Sequence, residues 1–298
     1  MPFLNFCKEQ NVDIKQNEPM KNHTSFKIGG ECDYFVIPKN SKQLKTVINK
    51  ASELNLPVFV LGKGSNLLVS DNGIEGVVIL MSGLCDITVN GDEITAGAGV
   101  SVANLCVAAL NNCLTGLEFA YGIPGSVGGG LYMNAGAYGG EFSNTVIKAE
   151  YLSRDGKVVA IDAKDMALGY RTSIFKQNGG IILSATFKLN KGDSDKIKAA
   201  MDDYMDRRKT KQPLEYPSAG STFKRPTGYF AGALIEQNGL KGVSVGGAMV
   251  SEKHAGFVIN YNNATANDVK DLIAKIQKTI KENNGVELEP EVIFVGRK

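Results

Sequence analysis

Along the chain, apolar positions recur in short runs whose period switches between about two and about 3.6, so the pattern predicts strands and helices mixed throughout, with no internal repeat. Residues 34–37 (YFVI) read as a strand. Behind them Leu44, Val47, Ile48, Ala51 and Leu54 fall at helical spacing, with Ser41 as the expected N-cap. A buried-type strand at 58–61 closes this small α/β unit at Gly62. The texture then changes to short strands at 67–69, 77–80, 87–89 and 94–96, broken by Gly and Asn-Gly turns. Val102, Leu105, Cys106, Ala109 and Leu110 form one face of a helix capped by Ser101, with Gly116 beyond its end.

Further on, 149–152 and 158–161 flank Arg154-Asp155-Gly156-Lys157, a hairpin signal, and 181–189 is another strand. Arg171 stands before an apolar strand, and Ile174 to Leu189 passes straight into a helix starting at Ser194, with Ile197, Met201, Tyr204 and Met205 on one face. Its basic tail 207–211 runs into Pro213, where a boundary is expected. The third block holds a helix over 230–237, strands within 243–250 and 256–260, and a long helix. Thr265 and Asp268 give that helix a capping-box start, Val269, Leu272, Ile273, Ile276 and Ile280 its apolar stripe, and Gly285 its end. The last segment, VELEPEVIFVG, reads as a strand interrupted by Pro290.

Composition narrows the class. A length of 298 residues is enough for about two domains. The 33 basic against 31 acidic residues carry no excess of the kind that marks a general nucleic-acid binder. Two histidines, His23 and His254, argue against a His-rich metal site, and no metal is expected. Five scattered cysteines, odd in number and without a C-x-x-C pair, suit reduced thiols in a cytoplasmic chain. The opening MPFLNFCKEQNVDIK lacks the basic and apolar regions of a signal peptide, and no apolar run approaches the ~20 residues of a membrane span, so no membrane partner is expected. Glycine is in surplus, 34 residues, and nine of these fall within 116–140.

The glycines frame the candidate chemistry. After the strand at 58–61, Gly62-Lys63-Gly64-Ser65-Asn66 forms either a tight turn or a nest of backbone N–H groups around a phosphate or pyrophosphate. Neither this loop nor Gly97-Ala98-Gly99 completes G-x-G-x-x-G, and no Walker loop occurs. The 116–140 segment is either a flexible loop or a second phosphate site, in which Ser126 starts a short helix with free N–H groups. Arg171, in Tyr170-Arg171-Thr172-Ser173, is either a surface ion-pair partner or a fixed charge for a carboxylate or enolate. Ser221, in Ser218-Ala219-Gly220-Ser221-Thr222-Phe223-Lys224-Arg225-Pro226, lies in a small-residue turn with no G-x-S-x-G around it. Glu287, Glu289 and Glu291 alternate as on a solvated strand face, unless Pro290 turns Glu291 inward.

The order and spacing of NHTSFKIGG, LGKGSNLLVSD, GLEFAYGIPGSVGGGLYMNAGAYGGE, YRTSIFK, RRKTKQPLEYPSAGSTFKRP, GALIEQNGLKG, GGAMVS and LEPEV closely resemble the UDP-N-acetylenolpyruvoylglucosamine reductase family, across nearly the whole chain. The long insertion around a tyrosine found in one branch is absent between Ile174 and Leu189, which makes this the shorter, second type. The resemblance implies an α+β FAD-binding fold of the vanillyl-alcohol-oxidase (PCMH) type. Its two FAD-binding subdomains would be 1–61 with 286–298, and 62–205, followed by a substrate-binding α+β domain at 206–285. It further implies FAD as cofactor, NADPH as hydride donor, UDP-N-acetylglucosamine enolpyruvate as substrate, and a monomer in the cytoplasm that binds no nucleic acid.

By the same resemblance, Gly62, Lys63, Gly64, Ser65, Asn66, Gly125, Ser126, Val127, Gly129, Gly130 and Ala135 hold FAD, and Lys211, Lys224, Gln237 and Tyr170 contact the substrate. Arg171 would stabilise developing charge, Ser221 would donate a proton, and Glu291, protonated, would assist enol formation. Arg225 stands where another branch has Asn, so that contact is not carried over. Two other readings compete. One is an oxygen-using FAD oxidoreductase of the same fold, and the other is a flavin-free nucleotide-sugar binding module.

Overall fold

The structure, a computed structural model, describes residues 2–298. Its helices are α1 (Pro2–Glu9), α2 (Ser41–Glu53), α3 (Val102–Asn111), α4 (Val127–Tyr132), α5 (Ile174–Asn178), α6 (Ser194–Lys211), α7 (Ala231–Gln237) and α8 (Ala266–Asn284). Among the described residues no helix is long and apolar enough to cross a membrane. A four-stranded sheet runs in the order Asp13–Pro19, Glu31–Ile37, Ile74–Leu80, Val58–Leu61. Its last pair is parallel, with Val58 opposite Val77 and Leu61 opposite Leu80. The expected strand, helix, strand opening is therefore present, but α2 is capped by Asn40, whose side chain accepts from the Gln43 N–H at 2.9 Å, and not by Ser41. Both residue types cap well, and Asn one position earlier satisfies the N3 donor while Ser41 enters the first turn. Neither α1 nor Asp13–Pro19 shows in the hydrophobic pattern; α1 buries only Phe3 and Cys7, too little for a visible stripe.

The chain forms two compact units, Met1–Lys15 with Tyr34–Lys63 and Gly76–Arg208, and Gln16–Asp33 with Gly64–Glu75 and Lys209–Lys298. In the first, a five-stranded antiparallel sheet takes the order Val158–Asp162, Val146–Leu152, Ile181–Lys188, Glu93–Gly97, Ile87–Asn90. Ala149, Ala185 and Ala96 stand opposite one another along one row and are fully buried. Such small side chains leave room for α4, which lies against the two central strands. Ile174–Asn178 is a helical turn where an apolar strand is expected after Arg171, while the strand expected from Ile181 begins there, after Gly179 adopts a left-handed φ of +67°. A short apolar run does not distinguish the two states.

In the second unit the core is the α8 stripe, with Val269, Leu272, Ile273, Ile276 and Ile280 buried beside Phe26, Leu68, Val250 and Ile235. The capping box at Thr265 and Asp268 is formed, and Gly285 closes the helix at φ +68°. Asp71 adds a second cap, its carboxylate accepting from Ala266 N–H at 2.9 Å and Asn267 N–H at 3.3 Å, where a negative charge suits the helix start. Of the C-terminal segment only Ile293–Val295 is a strand, parallel to Leu67–Val69. All five cysteines are free; burial pushes the Cys7 and Cys32 thiols up to about 11, and Cys106, whose Sγ lies 3.2 Å from the Leu117 carbonyl, also upward.

Candidate active site

In the first unit, Gly62 and Ser126 meet. A Cβ at Gly62 would lie 2.5 Å from Ser126 Oγ, so the two glycine-rich segments approach at a point that only glycine permits. Ser126 Oγ in turn caps α4 by accepting from Gly129 N–H at 3.3 Å. Gly62→Ala would push that hydroxyl away and remove the cap. We expect a loss of about 0.5–2 kcal/mol in unfolding free energy, read by thermal or denaturant melts. The short helix does begin at Ser126, but its N–H groups are not free. Val127 N–H bonds to Val100 O at 2.8 Å and Gly128 N–H to Ala98 O at 2.9 Å, because the helix start is itself threaded against the chain ahead of α3. Gly128 and Gly130 are glycine for packing: a Cβ there would come within 2.8 Å of Ala98 Cβ and 2.7 Å of Phe142 Cε2. Gly125, Val127 and Ala135 line the same turn, Val127 fully buried and Ala135 N–H bonded to Gly130 O at 2.7 Å.

Arg171 sits at the tip of a two-residue hairpin closed by reciprocal bonds between Gly169 and Thr172, both 3.2 Å. Its φ is +55°, a left-handed value that a non-glycine residue holds only when its surroundings impose it. Its guanidinium lies 5.1 Å from the centre of the exposed Tyr170 ring, and Lys176 Nζ donates to its carbonyl at 3.1 Å. The hairpin is tied down from both sides. Ser173 Oγ, fully buried, donates to Tyr132 O at 2.8 Å, and Asn134 Nδ2 donates to Gly169 O at 3.2 Å. Asn134 is the functional candidate that the sequence reading passed over, since nothing local distinguishes it within YMNAG.

In the second unit, the segment that follows Ser221 pairs with the one that ends at Glu291, which places Glu291 opposite Thr222. Thr222 to Lys224 and Glu289 to Glu291 pair antiparallel about Phe223 and Pro290, with Glu291 N–H donating to Thr222 O and Lys224 N–H to Glu289 O, both 2.8 Å. Pro290 fits because both bonds of this bridge use the flanking N–H groups. It interrupts no hydrogen bond, and Glu291 is half-buried where Glu287 and Glu289 are exposed. Glu289 carries the Lys224 ammonium, and Glu287 that of Lys281. Asn66 secures the same strand, its Nδ2 donating to Glu291 O at 3.0 Å and its carbonyl accepting from Ile293 N–H at 2.9 Å. Ser221 itself is exposed and follows Gly220 at φ +78°.

The start of the Gly64–Asn66 loop is equally constrained. Gly64, at φ +62°, packs against the His23 carbonyl, which a Cβ would approach to 2.1 Å, and Ser25 N–H donates to Gly64 O at 3.2 Å. Among the described residues, no acceptor takes the N–H groups of Gly64, Ser65 and Asn66. Unmet backbone donors on a glycine turn fit a diphosphate-bearing cofactor. Lys63 is exposed, as are Lys211 at the end of α6 and Gln237 at the end of α7; no hydrogen bond ties Lys211 or Gln237 to the Thr222–Glu291 pair among the described residues. The basic run 207–211 does not form one anion-binding face. Helical geometry sends its members in different directions, Arg207 pairs with Asp203, and half-buried Arg208 lies against Gly122. Arg225 stacks on Phe230, 4.0 Å from the ring centre. Next to Lys211, Gln212 Oε1 is buried without a hydrogen-bond partner.

Residues 32–162 match the FAD binding domain family, and residues 212–295 match the UDP-N-acetylenolpyruvoylglucosamine reductase C-terminal domain. A UDP-N-acetylenolpyruvoylglucosamine reductase from Clostridium novyi (strain NT) is 52% identical over 286 residues, covering 96% of this chain and 93% of the relative. The chain belongs to the UDP-N-acetylenolpyruvoylglucosamine reductase family. It is therefore an FAD oxidoreductase. A reductase of the same name from Caldanaerobacter subterraneus is 51% identical over 95% of this chain and 93% of its own length. The crystal structure of the Thermus caldophilus reductase superposes with a TM-score of 0.81 at 34% identity, covering 95% of this chain and 98% of that one. Physcomitrella patens BBE-like 1, 17% identical with a TM-score of 0.50 over 63% of this chain and 44% of its own, shares the fold alone. The family thus carries the α+β FAD-binding fold of the vanillyl-alcohol-oxidase type.

His254, linked to Thr222 through Gly256, gives the second unit a pH dependence. Thr222 N–H donates to Gly256 O at 2.8 Å, and Gly256 N–H donates to His254 Nδ1 at 3.0 Å, so this ring nitrogen must be unprotonated. Burial, foremost, holds the imidazole below its ordinary value of 6.5, against a backbone hydrogen bond of its own residue, with nearby Lys241 lowering it further and Glu236 opposing. The unfolded chain therefore binds a proton on His254 where the folded one does not. The resulting stability is complete above about pH 6.5 and is lost as pH falls through that value towards the folded one. Melting temperatures measured from pH 7.5 down to 5 should drop, and His254→Gln should flatten the acid limb.

Proposed function

We propose that this enzyme uses NADPH to reduce the enolpyruvyl double bond of UDP-N-acetylglucosamine enolpyruvate to UDP-N-acetylmuramate, a step of peptidoglycan precursor synthesis in the cytoplasm. The observation that supports this reading is the Phe223–Pro290 bridge, which pairs Glu291 with Thr222, the residue next to Ser221 in the chain. Gly62 to Asn66, Gly125 to Gly130 and Ala135 are the residues that would hold FAD. When bound and reduced by hydride from NADPH, FAD would supply the hydride that adds to the terminal vinyl carbon. Negative charge then develops on the carbon bearing the carboxylate and spreads into that carboxylate. Arg171, preset by its hairpin, opposes that charge with a fixed guanidinium. Glu291 donates a hydrogen bond to the enol oxygen when its carboxyl is protonated. Ser221 Oγ gives a proton to the carbanion from one face, which sets the new stereocentre and completes a two-electron, two-proton reduction. Lys224, Lys211, Gln237 and Tyr170 contact the UDP-sugar.

The test is an anaerobic absorbance titration. NADPH should bleach the flavin band, and the enolpyruvyl substrate should then restore it without oxygen. Rapid restoration by oxygen alone would favour an oxidase of the same fold, and the absence of any flavin band would favour a binding module. For Glu291, replacement by Gln should lower turnover by about tenfold or more with FAD content unchanged, since an amide N–H is a weaker hydrogen-bond donor to the enol oxygen than a carboxylic acid O–H. Loss of FAD in that variant would give Glu291 a structural task instead.

A further inference from the structure

We propose that Asn134 is the positioning residue for Arg171, an inference that rests on the charge-stabilising role proposed above for that arginine. Asn134 is buried, 1% exposed, and itself holds a left-handed φ of +45°. Its amide has an unambiguous orientation: Ser143 N–H, which can only donate, lies 2.9 Å from Oδ1, so Nδ2 faces Gly169 O at 3.2 Å. The acceptor end is anchored on a rigid turn, Phe142–Asn144, fixed by a capping box between Glu141 and Asn144 and by the fully buried Phe142 ring, which packs edge-on against Phe187. The donor end holds the base of the hairpin whose tip is Tyr170 and Arg171.

The Arg171 φ of +55° makes such a clamp necessary. An L-residue left to itself relaxes out of that region, and the guanidinium would swing with the backbone. Asn134 bonds the Gly169 carbonyl, which also accepts from Thr172 N–H, so one side-chain amide stabilises both the closing pair and the turn it encloses. Asn134 touches no reacting atom in this assignment and acts only through the hairpin.

A double-mutant cycle tests this on the FAD-loaded enzyme. Wild type, Asn134→Ala, Arg171→Ala and the double variant are each reduced with NADPH and then reoxidised with UDP-N-acetylglucosamine enolpyruvate under single-turnover conditions. Asn134→Ala should slow reoxidation by about tenfold or more, as a displaced catalytic charge does, and leave reduction by NADPH within about twofold. In the Arg171→Ala background it should slow reoxidation by no more than about twofold further. Independently of turnover, hydrogen exchange at the Thr172 amide should accelerate by about tenfold or more in Asn134→Ala. Multiplicative losses, equal slowing of both half-reactions, or unchanged Thr172 exchange would each overturn the proposal. A wild-type reoxidation rate in Arg171→Ala would instead remove the reading on which it rests. If Asn134→Ala does not accumulate folded, Asn134→Ser, which keeps a short donor in place, enters the same cycle.

Discussion

Arg171→Ala should slow reoxidation of the enzyme by the enolpyruvyl substrate by about a hundred- to a thousandfold, with FAD content and reduction by NADPH preserved. The size of the effect follows from preorganisation. A guanidinium that must find its place after charge develops contributes little, whereas here the turn conformation, the Tyr170 ring and the Lys176 bond to the Arg171 carbonyl set it in advance. Arg171→Lys should recover only part of the loss, because an ammonium is a point charge on a flexible stem and cannot meet a planar carboxylate with two parallel bonds. Stability should change little in either variant, or even rise slightly in Arg171→Gly, since glycine accepts a φ of +55° without strain. That opposition, activity lost while stability holds or gains, separates a charge-stabilising role from a structural one. Unchanged single-turnover kinetics in Arg171→Ala would end the assignment.

The contrast between Arg171 and Asn134 shows where sequence pattern stops being informative. Arg171 is readable as a candidate because an arginine beside an aromatic carries recognisable chemistry, while the clamp beneath it joins Asn134 to Gly169, 35 residues apart, and leaves no local mark. Helix α8 was legible throughout because its stripe, capping box and terminal glycine are all local and agree. Its second cap, Asp71, was not, being 195 residues distant in sequence. The glycine surplus was legible in position but only partly in purpose. Gly62 and Gly64 are required by close approach of the chain to Ser126 and His23, yet Gly128 and Gly130 make room for Ala98 and Phe142 within the core. Pro290 had pointed to a broken strand, and it does end the regular spacing of the three glutamates. It stands at a bridge position that needs no N–H, and so leaves Glu291 paired to Thr222.

That pairing underlies the largest effect expected in the second unit. Ser221→Ala removes the only transferable proton on the residue preceding the bridge, and reoxidation by substrate should fall by about a hundred- to ten-thousandfold. Because Ser221 is exposed and its side chain caps nothing, melting temperature should stay close to that of wild type. Ser221→Cys keeps a donor in the same place and should retain more activity than Ala, whereas a purely steric role would rank the two the other way. Reaction in deuterium oxide adds a second readout: wild type should place one deuterium on the carbon bearing the carboxylate, on a single face. Ser221→Ala should either do so slowly or lose facial selectivity as water replaces the hydroxyl. Wild-type reoxidation in Ser221→Ala would exclude the hydroxyl as the proton source and leave Glu291, held by Thr222 O and Asn66 Nδ2 through its backbone, as the acid of this pair.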